Sequence, residues 1–102
     1  MIDYRQKASE FRLPTYTPEA CVMGLLSEAG EVAGVFQKLI RGDYTEQEAS
    51  ARLYKELGDV IWHVDQVAAD NGWDLSDIMK DNIDKLTSRR LRNAILGDGD
   101  NR

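Results

Sequence analysis

The sequence predicts an all-α fold of four helices, a bundle in which two long helices lie antiparallel. Apolar residues recur with a helical period of 3.6 residues over two long stretches, and no alternating pattern typical of a strand occurs. The only prolines, Pro14 and Pro18, lie near the start, so nothing interrupts those stretches. Because 102 residues is the size of one domain, we expect a single domain over residues 1–102.

The ends of the first two helices are marked by local signals. A short helix over residues 3–12 must end before Pro14, because a residue that precedes proline disfavours the helical conformation. Thr17 then has the features of an N-cap, with Pro18 at the first helical position. Gly42 follows the last apolar residues and ends the second helix.

The third and fourth helices begin with comparable signals. Thr45 opens a capping box, T-E-Q-E, and the third helix that follows ends near Gly72. Asp74 or Ser76 caps a fourth helix, whose apolar pattern fades after Arg92.

The composition excludes several functions. The chain has 18 acidic residues against 13 Lys and Arg, a net charge of −5, which does not suit nonspecific binding of nucleic acid. No apolar run reaches the ~18 residues of a membrane span. The single Cys21 lies in an apolar run and predicts a small buried residue in a reducing compartment. We therefore expect a cytoplasmic protein that binds neither nucleic acid nor membranes.

Two acidic pairs carry most of the functional information. Glu28 and Glu31 lie on the second helix, Glu56 and Asp59 on the third, and i, i+3 spacing puts each pair on one helix face. The turn near Gly42 has about eleven residues on each side, from Glu31 down to Gly42 and from Thr45 up to Glu56, so antiparallel helices bring the pairs to equal height. Four converging carboxylates require a cation, and oxygen ligands suit Mg²⁺ or Mn²⁺. The alternative is four ordinary solvated acids.

Two neighbours of the second pair have competing interpretations. His63 lies four residues after Asp59 and could ligate a metal, but hard cations prefer oxygen, which favours a packing role. Trp62 could stack on a base, although a core or subunit contact is the more usual role. A di-iron bundle is disfavoured because no histidine stands three residues after any of these acids.

Four segments, in order, resemble the MazG-type nucleoside triphosphate pyrophosphohydrolases. The pattern E-x-x-E, 24 residues, E-x-x-D is similar to the family signature, and it lies within GLLSEAGEV at 24–32 and ELGDVIW at 56–62. The run N-I-D-K-L-x-x-R at 82–89 resembles the third family element, and GDGDNR at 97–102 resembles the end of short single-domain members. The resemblance covers residues 4–102.

The resemblance implies hydrolysis of (deoxy)nucleoside triphosphates to the monophosphate and pyrophosphate, in nucleotide-pool housekeeping. It also implies a MazG-like bundle assembled as a homodimer or homotetramer. Two alternatives stay open. A phosphoribosyl-ATP pyrophosphatase-like enzyme shares the chemistry, whereas a non-catalytic helical interaction module would not need acidic pairs at equal height.

The residues themselves suit this chemistry. Cleavage between the α- and β-phosphates requires neutralised phosphate charge and an activated water, and Mg²⁺ on the four carboxylates could supply both. Glu28 or Glu31 is the expected general base, and the sequence does not choose between them. Residues 97–102 form a flexible glycine-rich tail, which could close over the phosphates with Arg102 or could simply be a frayed end.

Further polar residues are candidates for binding phosphate. Asn82, Lys85 and Arg89 share one face of the fourth helix and can bind phosphate oxygens, although a solvated face is the alternative. Lys38, two turns beyond Glu31, could also reach a phosphate or extend along the surface.

The apolar stripes exceed what a single four-helix layer covers, which predicts a homo-oligomer with active sites near a subunit boundary. The excess is expected from Leu25, Leu26, Val32, Phe36, Val60, Ile61, Val64 and Val67.

Overall fold

The computed structural model describes residues 3–92, most of which are helical. The helices are α1 (Tyr4–Ser9), α2 (Pro18–Arg41), α3 (Glu46–Asp70) and α4 (Leu75–Leu91). No strand occurs within residues 3–92, so the predicted all-α fold of four helices is confirmed. The helix predicted over 3–12 is shorter than expected, because residues 10–12 form a turn in which backbone N–H groups bond carbonyls three residues earlier.

Local capping explains where the long helices begin and end. The side chain of Thr17 accepts a hydrogen bond from Ala20 N, and Pro18 occupies the first turn of α2. Gly42 ends that helix with a φ of 85°, a left-handed conformation that favours glycine. Thr45 and Glu48 form the reciprocal capping box at the start of α3. These ends agree with the sequence predictions.

The chain divides into two compact units. Unit 1, Met1–Asn71, contains α1, α2 and α3, and unit 2, Gly72–Arg102, contains α4. Within unit 1, α2 and α3 are antiparallel, since Cys21 near the start of α2 lies beside His63 near the end of α3. The Cys21 side chain is buried, as predicted.

The interior of unit 1 contains an unusual share of polar groups. Its three largest fully buried side chains are those of Gln66, Asp65 and Cys21. Arg5 on α1 donates to Asp65 Oδ1 at 3.0 Å, and Gln66 donates to Ser9 Oγ at 3.1 Å. Hydrogen bonds, rather than a large apolar interface, therefore attach α1 to α3.

Much of the apolar stripe predicted for the long helices is exposed in a single chain. Leu26 is 68% exposed, and Phe36 and Ile61 are each 51% exposed. The predicted homo-oligomer would cover such residues, and it stays a prediction. None of the helices within residues 3–92 is both long enough and apolar enough to cross a membrane.

Candidate functional site

Three of the four predicted acidic residues converge where α2 packs against α3. Glu28 on α2 and Glu56 and Asp59 on α3 each contribute one carboxylate oxygen, and these oxygens lie within 4.8 Å of one another. Glu28 and Glu56 are partly buried, whereas Asp59 is exposed. The group, referred to below as the carboxylate cluster, is therefore open to solvent on one side.

Glu31, the fourth predicted acid, is not part of the carboxylate cluster. Its side chain is exposed on α2, one turn beyond Glu28. A separation of three residues rotates a side chain by about 60° around the helix axis relative to its neighbour. Glu31 is therefore offset from Glu28 both around α2 and along it, and Glu28 is the residue of α2 that joins the two acids of α3.

The environment of the carboxylate cluster raises the pKa of Glu28. Burial is the largest cause of a raised pKa at Glu28; a hydrogen bond with Glu56 and the charge of Asp59 raise it further, and His63 acts in the opposite direction. Four ion pairs, Arg5–Asp65, Arg12–Asp70, Arg41–Asp43 and Lys80–Asp84, involve acids outside the cluster. The cluster brings three carboxylates together and offers oxygen donors only.

His63, at the next turn of α3, is held by two hydrogen bonds. Its Nδ1 lies 2.9 Å from the carbonyl oxygen of Asp59, and its Nε2 lies 2.7 Å from the hydroxyl of Tyr16. Both ring nitrogens are therefore engaged, which agrees with the packing role considered for this residue. Trp62 also has a structural contact, since its indole N–H donates to the carbonyl of Ala8 at 3.0 Å.

The segment before α2 supplies neighbours of the site that the sequence did not single out. Tyr16 lies here, and Arg12 donates to its carbonyl oxygen from both Nε and Nη2, at 3.1 and 2.9 Å. Tyr4 on α1 is near the acids as well: burial, then the charges of Asp65 and Asp59, raise the pKa of its hydroxyl. Such contacts join residues far apart in the chain, and no local spacing pattern signals them.

Lys38, a predicted phosphate ligand, lies at the opposite end of α2 from the segment containing Tyr16. Its Nζ is 5.7 Å from the ring centroid of Tyr44, and the guanidinium of Arg52 lies 4.4 Å from the same centroid. Ten helical residues separate Lys38 from Glu28, a rise of about 15 Å. Lys38 is therefore placed near the α2–α3 turn and not beside the carboxylate cluster.

The other predicted phosphate ligands belong to unit 2. Asn82 and Lys85 line one shallow groove on α4 together with Ile78 and Asp81. Arg89, one turn further along the helix, is only 3% exposed. Arg102 and the predicted tail at 97–102 lie outside the described residues.

Comparison with known proteins identifies the family. The sequence model of the MazG nucleotide pyrophosphohydrolase domain matches residues 16–92, so the chain belongs to the MazG family, and the resemblance drawn from its motifs is confirmed. The Gene 37 protein of Mycobacterium phage L5 is 44% identical over 82 residues, which cover 78% of this chain and 72% of the phage protein. No solved structure matches the chain.

Proposed function

We propose that this protein hydrolyses (deoxy)nucleoside triphosphates to the monophosphate and pyrophosphate in a Mg²⁺-dependent reaction that serves nucleotide-pool housekeeping. The observation that carries the proposal is the carboxylate cluster, which is built on the two long helices of a domain of the MazG nucleotide pyrophosphohydrolase family. Cleavage of the α–β phosphoanhydride brings a highly charged triphosphate to an acidic protein. The cluster supplies the means to bind that charge through a cation.

The donor set fits a hard divalent cation. Glu28, Glu56 and Asp59 offer only oxygen atoms, and oxygen ligation is what Mg²⁺ and Mn²⁺ prefer. Glu31, one turn further along α2, is the proposed fourth ligand. A bound cation would neutralise phosphate charge and lower the pKa of a coordinated water. Burial, the hydrogen bond with Glu56 and the charge of Asp59 raise the pKa of Glu28, and this cost of ionisation favours occupancy by a cation.

The chain's own residues would then position the substrate and move the proton. Glu28 and Glu31 lie on adjacent turns of α2, and one of them accepts the proton of the attacking water. A general base works best when its pKa lies near the working pH, and burial shifts Glu28 in that direction. Lys38, Asn82, Lys85, Arg89 and Arg102 are the proposed phosphate-binding residues.

The test is a pyrophosphate-release assay over a panel of ribo- and deoxyribonucleoside triphosphates that also includes phosphoribosyl-ATP. We expect pyrophosphate and the nucleoside monophosphate with Mg²⁺, weaker or comparable turnover with Mn²⁺, and none with EDTA. Asp59→Asn and Glu56→Gln should each abolish turnover because each removes a negative ligand. Glu46→Gln, an exposed acid at the start of α3, is the matched control and should retain activity.

The outcomes separate the alternatives. Turnover of phosphoribosyl-ATP alone would favour a phosphoribosyl-ATP pyrophosphatase-like enzyme. Release of orthophosphate would contradict cleavage between the α- and β-phosphates. A folded protein that turns over no member of the panel and binds no metal would favour the helical interaction module.

A further inference from the structure

Gly24 on α2 is a position where the packing requires the absence of a side chain. A Cβ at Gly24 would lie 2.0 Å from the Tyr16 hydroxyl oxygen and 2.6 Å from His63 Nε2. Both separations are far shorter than van der Waals contact. At the other glycines of residues 3–92 a Cβ would meet nothing within 4 Å. The Tyr16–His63 hydrogen bond therefore crosses the backbone of α2 through the space that Gly24 leaves open.

The partners of His63 specify how its ring is protonated. A carbonyl oxygen only accepts hydrogen bonds, so Nδ1, at 2.9 Å from the carbonyl of Asp59, carries a proton. Nε2 of the neutral imidazole is then an acceptor, and the Tyr16 hydroxyl, at 2.7 Å, is its donor. The two hydrogen bonds together define one tautomer and one ring orientation.

The Tyr16–His63 hydrogen bond lies one helical turn from the carboxylate cluster, beside Gly24 on α2 and at His63 on α3. Gly24 precedes Glu28 by four residues on α2, and His63 follows Asp59 by four residues on α3. The pair thus joins the segment before α2 to α3 and packs against Gly24, at the turn adjacent to the cluster, where the separation of α2 and α3 sets the separation of the carboxylates. Rotation of the His63 ring is restricted, because the rings of Trp62 and His63 pack edge to face with centroids 4.9 Å apart.

The backbone of Tyr16 is held in place by Arg12. Two nitrogens of Arg12 donate to its backbone carbonyl, and the same guanidinium forms an ion pair with Asp70. A chain of polar contacts therefore runs from Asp70 through Arg12 and Tyr16 to His63, and ends at the carbonyl of Asp59.

We propose that Tyr16 and His63 are positioning residues for the metal-binding carboxylates, an inference that rests on the proposed function. The Asp59 carbonyl specifies the tautomer of His63, and the Tyr16 hydroxyl holds the orientation of its ring. His63 Nδ1–H in turn holds the turn of α3 that carries Asp59. The close packing of Tyr16 and His63 against Gly24 fixes the distance between that turn of α3 and the turn of α2 that carries Glu28. Neither side chain needs to touch the nucleotide for this role. Removal of outer hydrogen bonds of this kind weakens metal binding by roughly 10- to 100-fold in other proteins.

The first experiment compares Tyr16→Phe with Tyr54→Phe. Each change removes a single hydroxyl, but Tyr54 is 83% exposed on α3 and serves as the matched control. Calorimetric titration with Mg²⁺ or Mn²⁺, without nucleotide, should show a dissociation constant raised by roughly tenfold for Tyr16→Phe and unchanged for Tyr54→Phe. At saturating metal, the KM for nucleotide should be unchanged in both variants. This split separates a positioning role from a role in binding nucleotide.

The second experiment observes the histidine directly. His63 is the only histidine of the chain, so its ¹⁵N imidazole resonances in an untagged protein are assigned without ambiguity. The wild-type spectrum should show a protonated Nδ1 and an unprotonated Nε2. Tyr16→Phe should shift the Nε2 resonance, because Nε2 loses its hydrogen-bond donor, whereas Tyr54→Phe should preserve the wild-type spectrum.

A third pair of variants tests the close contact. Gly24→Ala should separate Tyr16 from His63 and weaken metal binding at least as much as Tyr16→Phe. Gly34→Ala, on the same helix with open space around the new Cβ, should leave metal binding unchanged. Since Gly24→Ala also strains the packing of α2 on α3, its circular dichroism spectrum must be compared with that of the wild type, and Tyr16→Phe remains the decisive variant.

Two results would overturn the inference while leaving the proposed function intact. One is metal affinity in Tyr16→Phe equal to that of the wild type. The other is a wild-type His63 that carries its proton on Nε2. A wild-type protein that binds neither Mg²⁺ nor Mn²⁺ would overturn both proposals, and the tautomer spectrum would then report on the hydrogen bonds alone.

Discussion

Arg12 and Asp70 form a two-pronged ion pair, with Nη1 2.7 Å from Oδ1 and Nη2 2.9 Å from Oδ2. The pair joins the segment between α1 and α2 to the end of α3, and both side chains are at most 20% exposed. Parallel N–H···O bonds between a guanidinium and a carboxylate are among the stronger polar contacts in proteins. Because Arg12 also holds the carbonyl of Tyr16, the pair contributes to both the fold of unit 1 and the arrangement around His63.

Arg12→Ala should destabilise the protein by about 2 kcal/mol, because it leaves the Asp70 carboxylate and the Tyr16 carbonyl without their charged donor. The free energy of unfolding from urea titration measures this loss. Cys21 provides a local readout: its thiol is fully buried, so a thiol reagent should modify it faster in Arg12→Ala, where the loss of these contacts increases local opening of unit 1.

Arg41→Ala is the matched control for that prediction. Arg41 also pairs with an aspartate, Asp43, but these side chains are 58% and 47% exposed at the α2–α3 turn. An exposed pair of this kind contributes about 0–1 kcal/mol. Equal destabilisation by the two variants would show that the Arg12 contacts stabilise unit 1 no more than a surface ion pair does.

The raised pKa of Glu28 predicts how stability without metal depends on pH. The folded protein holds the proton of the Glu28 carboxyl more tightly than the unfolded chain does, because an unperturbed glutamate has a pKa of 4.5. In EDTA, Glu28 should therefore reduce the free energy of unfolding as the pH rises from about 4.5 through its raised pKa. Urea titrations of the wild type and Glu28→Gln over this range should show the variant gaining stability relative to the wild type as pH increases.

The control for the pH prediction is Glu31→Gln, which removes a charge from an exposed position on the same helix. The stability difference between this variant and the wild type should change less with pH than the difference for Glu28→Gln. A parallel pH dependence for Glu28→Gln and the wild type would contradict an unfavourable environment for the Glu28 carboxylate.

The helix ends and the meeting of the carboxylates were accessible from the sequence because both depend on local spacing. Thr17, Gly42 and the capping box at Thr45 act on their own neighbours in the chain. Glu28 and Glu56 stand at equal distances from the turn, so antiparallel packing alone brings them together. Glu31 shows the limit of this reasoning, since a small rotation around the helix decides whether a side chain faces the partner helix.

The network around the site was not accessible in the same way. Tyr16 and His63 are 47 residues apart, and Arg12 and Asp70 are 58 residues apart. Their contacts depend on how the segment before α2 crosses α3, which no periodicity encodes. A glycine inside a long helix did not signal the contact by itself, because Gly30, Gly34 and Gly58 share that feature with Gly24 and have open space around them.

The predicted homo-oligomer can be tested through the exposed apolar residues of the long helices. Phe36→Asp and Ile61→Asp each place a charge on a side chain that is about half exposed in the single chain. In an oligomer that buries these side chains, the charge would be costly, so both variants should shift the particle towards the monomer. Light scattering at micromolar concentration measures this shift.

Gln47→Asp, at an exposed polar position near the start of α3, is the control for assembly and should leave the particle size unchanged. Helical content should be retained in all three variants. A folded wild-type monomer at micromolar concentration would rule out the predicted homodimer and homotetramer.

The predicted role of the glycine-rich tail is tested by truncation after Leu96, which removes 97–102 and with them Arg102. Backbone N–H groups near glycines and an arginine side chain suit an anion, so the truncated enzyme should show a higher KM or a lower kcat. Its helical content and particle size should be unchanged. Asn101→Ala is the control, because it changes the tail but keeps Arg102. If the truncated and full-length enzymes have identical kinetics, a role for the tail in binding would be excluded.

Lys85 provides the sharpest test of phosphate binding by α4. It lines a groove with Asn82 and is half-buried, so a charge-assisted hydrogen bond to phosphate should be stronger there than at a fully solvated position. Lys85→Gln should raise the KM for nucleoside triphosphate by about tenfold, the effect of losing one such bond, while metal affinity measured without nucleotide stays constant.

Lys80→Gln is the matched control, because Lys80 lies on the same helix, is 72% exposed and pairs with Asp84 at 2.8 Å. Lys80→Gln should leave KM nearly unchanged, since the ammonium group of Lys80 is already neutralised by Asp84 one turn away. Lys85→Arg should retain part of the affinity because it preserves the charge but not the geometry. If Lys80→Gln and Lys85→Gln raise KM equally, the effect would come from the net charge of α4, and a specific contact between Lys85 and the phosphates would be ruled out.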